Sequence, residues 1–247
     1  MNRSQHYLIP TWPAPNHICA FTTLRTGGTS TGNFISNNMA HHVQDNPIDV
    51  SKNRRQLRQD WGINKPIHWL NQTHGTSVCN LDSATPITTA DACMTTKLNT
   101  PCAVLTADCL PILLCNRAGT EVAAIHAGWR GILKGVIKHT VAKLHNGPSS
   151  FMAWLGPAIG PEHFTLNEEI KYQFLTSNPG NSSAFTTQRD KIYADIFKLA
   201  KVQLNQAGIS NVYGGEYCTI EKTSQFYSYR VNSETGRMAS IIYIQQS

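Results

Sequence analysis

Between Pro101 and Gly128 the chain passes through three apolar runs in quick succession, "CAVLT", "PILLCN" and "EVAAIHAG", and each stops at a turn. Runs this short, apolar at nearly every position and bounded by turn residues, are buried strands rather than faces of a helix. The polar "ADC" and Pro111 separate the first two, since proline cannot donate to a ladder. Directly after His126 the pattern changes period. "WRGILKGVIKHTVAKLH" has apolar residues at 132, 133, 136, 137 and 141, which predicts one helix beginning at the strand's end. Strands feeding a helix dictate an α/β fold, and they put Cys109 and His126 at strand ends.

The rest of the chain fits one domain over residues 1–247. Of its 247 residues 40% are hydrophobic and 15% charged, an ordinary globular balance that excludes disorder. Up to about residue 48 the sequence is rich in turn formers, with "LRTGGTSTGNF" the strongest turn signal. A helix is predicted over "IDVSKNRRQLRQDWG", capped at Asp49 or Ser51 and closed at Gly62. "PIHWLNQTHG" reads as a strand around Ile67 and Trp69 that ends at Gly75. "SFMAWLGPAIGP" reads as a strand with a glycine-proline turn, "DKIYADIFKLAKVQLNQAG" as an amphipathic helix and "SIIYIQQ" as a final strand. No repeat period is visible.

Lys and Arg number 21 against 15 Asp and Glu, a net charge of +6. The basic residues are scattered and accompany no nucleic-acid-binding motif, so anionic small molecules are the expected partners and nucleic acid is not. Seven cysteines, an odd number with no C-x-x-C pair, fit a reducing compartment. "MNRSQHYLIPTWPAP" lacks a stretch of signal-peptide length and no run is long enough to span a membrane, so a cytoplasmic protein without membrane contact is expected, a monomer or weak homodimer.

Three strand-end turns stand out: "NQTHG", "TADC" and "AIHAGWRG". They carry His74, Cys109 and His126, spaced by 35 and 17 residues, too far apart for a local zinc finger and suited to a site assembled in space. Two imidazoles and a thiolate suit Zn²⁺ with a fourth position open. The same residues also fit a nucleophilic Cys109 served by His126 or His74 as base, or buried groups with no chemistry at all. Arg130, at the start of the predicted helix, and Arg25, beside Gly27 and Gly28, are candidate anion ligands or surface ion-pair members. Asp91 and Asp108 are candidate proton acceptors, supports for metal ligands, or turn residues. Ten histidines raise copper chemistry, but no H-x-H pair occurs, so at most one mononuclear copper site is expected.

"TLRTGG", "NQTHG", "ADA" at 90–92, "TADCLPILLCNRAGTEVAAIHAGWRG", "AWLGPAIGP", "YADIFKLA" and "FYSYRVNSETGRMAS" together resemble the laccase-domain, or YfiH-like, family nearly end to end. The resemblance implies a single-domain layered α/β/α sandwich with mixed sheets. It implies a zinc site at His74, Cys109 and His126, with copper as the alternative metal. The implied activity is phosphorolysis of adenosine, inosine, guanosine and methylthioadenosine, with adenosine deamination. The partners are then purine nucleosides and phosphate.

Arg25, Asn38, His42 and Arg230 match family positions near the site and join Arg130 as candidate substrate or phosphate ligands. Cys109, His126, Asp108 and Asp91 form the candidate catalytic set. Other names in the family leave two more readings open, an amidohydrolase that edits peptidoglycan precursors and a laccase-like polyphenol oxidase. The chain departs from the family at Ala40 and Gln44, which replace glycines, and at Val231, which replaces an arginine. The H-x-E and P-C-x-x-C signature of the usual zinc nucleobase deaminases is absent.

Overall fold

The computed structural model describes residues 5–246. In chain order, β1 (Tyr7–Leu8) and β2 (Ile18–Thr23) precede helix α1 (Pro47–Asp60). Then come β3 (Val78–Asn80), β4 (Ala92–Thr95), β5 (Cys102–Thr106), β6 (Leu110–Asn116) and β7 (Val122–Ala127), followed by α2 (Trp129–Lys134) and α3 (Val136–Val141). The second half holds β8 (Phe151–Leu155), β9 (Thr165–Leu166), α4 (Glu168–Ser177), β10 (Phe185–Gln188), β11 (Lys191–Ala194), α5 (Ile196–Gln206), β12 (Asn211–Gly214) and β13 (Met238–Ile244).

The strands form a six-stranded sheet in the order β12-β8-β6-β7-β4-β3, a four-stranded sheet β1-β2-β13-β5, and a small sheet β10-β11-β9. The six-stranded sheet is mixed: β3 runs parallel to β4 and β12 to β8, while the inner pairs are antiparallel. Side chains alternate across each strand, and that alternation defines the layers. Cys102 and Val104 of β5 meet Leu113, Cys115, Ala124 and Trp154 between the two large sheets. Ala103 and Leu105 face the other way, onto Leu57 of α1 and Trp61. Ile112, Leu114, Ala123 and Ile125 pack under Ile132, Ile137, Leu199 and Leu204 of α2, α3 and α5. The layered α/β plan with mixed sheets is therefore observed, and its central β layer is two sheets thick.

Local differences from the sequence reading have identifiable causes. The turn-rich first segment contains β2, which pairs Ile18 with Ile244 and Cys19 with Tyr243 at the far end of the chain. Helix α1 is capped by Asn46, whose side chain accepts from the Ile48 N–H, with Pro47 at the first helical position. Gly62 closes it as expected, at φ +62. The helix predicted after His126 is two helices, because Gly135 sits at φ +87 between α2 and α3. "KIYA" is strand β11, and Asp195 caps α5 behind it by accepting from the Lys198 N–H.

No strand forms in "PIHWLNQTHG". There the Gln72 side-chain amide replaces one, donating to the Leu105 carbonyl (2.8 Å) and accepting from the Leu105 N–H (2.7 Å) on the free edge of β5. A single bridge joins Asn71 to Thr89.

Gln44 lies at φ +67, in the left-handed region that an L side chain adopts at a cost. The family resemblance puts glycine there. Gln44→Gly should raise the unfolding free energy by about 1 kcal/mol, because removing Cβ relieves the strain and outweighs glycine's extra entropy. A urea titration of the two chains measures it, and an unchanged or lowered midpoint would show the strain to be negligible.

Candidate metal centre

The register of the six-stranded sheet assembles the centre. In the β6–β7 pair Pro111 faces His126, so Cys109 comes up against Gly128 just beyond the strand ends. A Cβ on Gly128 would lie 2.9 Å from the Cys109 sulfur and 2.9 Å from the His74 ring, so only glycine leaves room for both. In the β4–β7 pair Ala92 faces Ile125, which sets Asp91 opposite His126. The His126 N–H donates to the Asp91 carbonyl (2.7 Å), and its ring Nδ1 meets the Asp91 carboxylate at 2.8 Å. Alternation along β7 turns His126 to the side of Ala124, toward the space between the sheets.

Cys109 occupies a corner. β5 belongs to the four-stranded sheet and β6 to the six-stranded one, and only Ala107, Asp108 and Cys109 join them. Asp108 makes the turn at φ +83. Its carboxylate accepts from the Thr219 hydroxyl (2.6 Å) and the Arg230 N–H (2.6 Å), while its carbonyl accepts from the Ile159 N–H (2.9 Å). Asp108 lines the cavity, but its carboxylate is engaged in holding the corner in shape.

Asp91 is fully buried and organises the third ligand. Besides His126 it accepts from the backbone N–H groups of Thr73 (3.2 Å), His74 (2.9 Å) and Gly75 (2.7 Å). Those bonds hold His74 at φ +57 with its ring 4.7 Å from that of His126, and its Nε2 3.7 Å from the Cys109 sulfur. Burial pushes Asp91 up, but the bonds from His126 and the loop N–H groups prevail and hold its carboxyl at about 2. An ionised Asp91 holds a proton of His126 on Nδ1, so Nε2 is the nitrogen turned to the centre, and a cation binding there takes the place of its proton. Burial likewise opposes charge on Cys109 and His126. Their mutual attraction outweighs it, with help from His74 for the thiol and Asp91 for the imidazole, so the thiol is held at about 6 and the imidazole at about 9.

The donor atoms of His74, Cys109 and His126 all lie within 4.8 Å of one another. A sulfur and two imidazole nitrogens at this spacing, with the tautomer of one histidine fixed by a carboxylate, fit a borderline-soft divalent cation. In metal-free protein Cys109 should be the thiol alkylated by iodoacetamide at neutral pH. Cys79 and Cys115 should be spared, since burial pushes them up to about 11 and 12. Prior loading with Zn²⁺ should protect Cys109, and peptide mass spectrometry reads both results.

The centre opens into a cavity of about 590 Å³. Arg130, Arg230, Arg237, His42, Gln72 and Tyr229 give its wall polar and charged groups, and Phe164, Ile159, Ile196 and Trp129 make an apolar side. The structure thus brings Asp108, Cys109, His126, His74, His42, Arg130 and Arg230 to the lining of one cavity, with Asp91 behind His126. Arg25 and Asn38 are set back. The Arg25 guanidinium donates to the carbonyls of Ile35 (3.2 Å) and Thr223 (2.7 Å) and lies over the Tyr227 ring. Buried Asn38 accepts from the Arg237 N–H (2.9 Å) and acts on the cavity through that residue. Arg130 stacks over Trp129 at 4.2 Å. Because Gly135 breaks the helix, α2 is only six residues long, and attraction for an anion rests on the guanidinium rather than on a long helix dipole.

Sequence reasoning missed Gln72, Tyr229 and Arg237. Arg237 stands in "TGRMAS", directly before β13, so its position before a strand was its one available signal.

A layered α/β protein with a two-histidine, one-cysteine centre lining a strand-end cavity is a candidate metalloenzyme. The chain belongs to the multi-copper polyphenol oxidoreductase laccase family, whose model matches residues 19–245. It is 43% identical over 240 residues to the purine nucleoside phosphorylase YfiH of Escherichia coli, spanning 96% of this chain and 98% of that one. A purine nucleoside phosphorylase of Pseudomonas aeruginosa is 41% identical over 97% of this chain and 98% of its own length. Among solved structures, a Neisseria meningitidis protein superposes with a TM-score of 0.92 at 41% identity, covering 98% of this chain and all of that one. YlmD from Geobacillus stearothermophilus gives 0.90 at 28% identity, covering 100% and 98%. Among the described residues no helix is long and apolar enough to cross a membrane.

Proposed function

We propose that this protein is a zinc-dependent purine nucleoside phosphorylase acting on adenosine, inosine, guanosine and methylthioadenosine. The observation that carries the reading is the shared cavity: the His74, Cys109 and His126 donors, three arginines and several apolar side chains all line it. Phosphorolysis needs both halves, a cationic seat for phosphate and an apolar seat for a purine. Relatives named for this activity match nearly the whole chain.

His74, Cys109 and His126 would hold the cation, which when bound supplies Lewis acidity and positive charge beside the anionic reactant. The chain's own groups do the remainder. Arg130, Arg230 and Arg237 attract and orient phosphate, with His42 beside Arg237. Burial first, and then the charge of Arg237, holds the His42 imidazole below its ordinary value, so at neutral pH it is a neutral group able to accept or donate a hydrogen bond. Phe164, Ile159 and Trp129 exclude water from the purine. A phosphate oxygen then bonds to C1′ of the ribose as the bond to the purine nitrogen breaks, and the purine leaves with a proton.

Inosine incubated with and without phosphate tests the reading. Hypoxanthine and ribose 1-phosphate should appear together and only when phosphate is present, whereas phosphate-independent release would make the protein a hydrolase. Adenosine deamination belongs to the same cavity and predicts ammonia from adenosine without loss of the ribose. The low-set thiol of Cys109 favours a second reading, an amidohydrolase with Cys109 as nucleophile. It predicts a thioester on Cys109 and no need for phosphate.

A further inference from the structure

A second group of unlike donors lies outside the cavity's centre. His163, Cys218 and Glu221 present an imidazole nitrogen, a sulfur and a carboxylate oxygen within 4.8 Å of one another. His163 Nε2 and Glu221 Oε1 are 3.4 Å apart. Zn²⁺ bonds of about 2.0–2.3 Å at tetrahedral angles put neighbouring ligand atoms roughly 3.3–3.8 Å apart, so this pair already has a ligand spacing. Cys218 is 7% exposed and its sulfur accepts the Gly160 N–H at 3.3 Å, which fixes the sulfur in place. An exposed His–Glu ion pair explains two of the three groups. It does not explain why a buried sulfur shares their point of convergence.

We propose that His163, Cys218 and Glu221 form a second site for a borderline-soft divalent cation such as Zn²⁺, distinct from the one in the cavity. The ligands come from two segments far apart in sequence, the loop after β8 and the segment after β12, which a backbone bridge between Ala158 and Cys218 already brings together. A cation there closes a long loop and clamps the two segments. Both reach the cavity. The His163 carbonyl accepts from the Arg230 guanidinium (3.1 Å), and Thr219, next to Cys218, donates to Asp108. The second site is a positioning device for the cavity's corner and for Arg230.

Cobalt(II) titration of the metal-stripped full chain tests this, because thiolate-bound Co²⁺ absorbs in the near ultraviolet. The Cys109→Ala chain should still bind Co²⁺ with a thiolate band, now from Cys218 alone. His163→Gln, a change at a half-exposed position, should bind one equivalent fewer than the unaltered chain, and Zn²⁺ should raise its melting temperature less. Absence of a thiolate band in Cys109→Ala, or equal stoichiometry in His163→Gln and the unaltered chain, overturns the proposal. If Cys109→Ala and the unaltered chain bind alike, with a band lost in Cys218→Ser, the second site stands and the cavity's metal reading falls.

Discussion

Cys109→Ala is expected to lose the cavity's metal and phosphorolysis together, and His126→Ala to do the same. Each leaves two ligands where three converged, and the charge stabilisation a bound cation supplies amounts to several kcal/mol, or about 10³-fold in rate. The two losses must coincide: kcat/KM for inosine should fall by that factor while circular dichroism and the melting curve of the metal-free chains stay close to the parent. A variant that releases the metal yet turns over inosine at the parental rate would refute the zinc-dependent mechanism. Full metal content with no activity would instead assign Cys109 a direct chemical role. The amidohydrolase reading makes a different forecast, in which Cys109→Ala traps no thioester and phosphate has no effect on either chain.

Asp91→Asn should have a large effect on stability for so small a change. The carboxylate receives bonds from His126, Thr73, His74 and Gly75 at a fully buried position. An amide has one oxygen to accept them, and its NH₂ faces donors. One or two N–H groups around the buried carboxylate are left without that partner, at about 1–3 kcal/mol each where water does not replace it. Metal affinity should also fall about 10–100-fold, because a neutral amide holds the His126 Nδ1 proton less firmly than the carboxylate does.

The acid dependence has a definite sign. The folded-state value of Asp91, about 2, lies below the ordinary 3.8, so its contribution is fully present above about pH 4 and disappears as pH falls through the folded-state value. Urea titrations of the metal-free chains between neutral and acid pH should show the parent losing its advantage over Asp91→Asn as carboxylates protonate. A constant gap between the two chains would mean that the Asp91 charge contributes nothing.

Much of this centre was legible in the chain because its parts end apolar strands. "CAVLT", "PILLCN" and "EVAAIHA" are buried whatever they pair with, so their ends were readable, and so were His126 and Cys109 as residues at those ends. His74 was named from its turn, although the strand expected before it does not exist. A side-chain amide does the pairing there, and no periodicity records such a substitution. Strand β2 was illegible for another reason: its partner β13 lies at the opposite end of the sequence, and local composition does not encode a pairing of such separation. Asp91 was recognisable only as a candidate, since its importance comes from register with β7. Arg25 and Arg237 show the same limit in opposite directions. A glycine-rich neighbourhood drew attention to an arginine set back from the cavity, while an unremarked arginine before β13 lines it.

The passage of the chain from one sheet to the other through Ala107, Asp108 and Cys109 also bears on how this protein can be taken apart. The bend that carries the sulfur is the shortest of the chain's crossings between the two large sheets, so the chain cannot be cut or permuted there without dismantling the centre. Inserting even one residue between Thr106 and Leu110 would displace Cys109 while leaving every strand its own sequence. The reactive group sits on the three residues that tie neighbouring strands of the two sheets together, which makes a working centre a report that both sheets have docked.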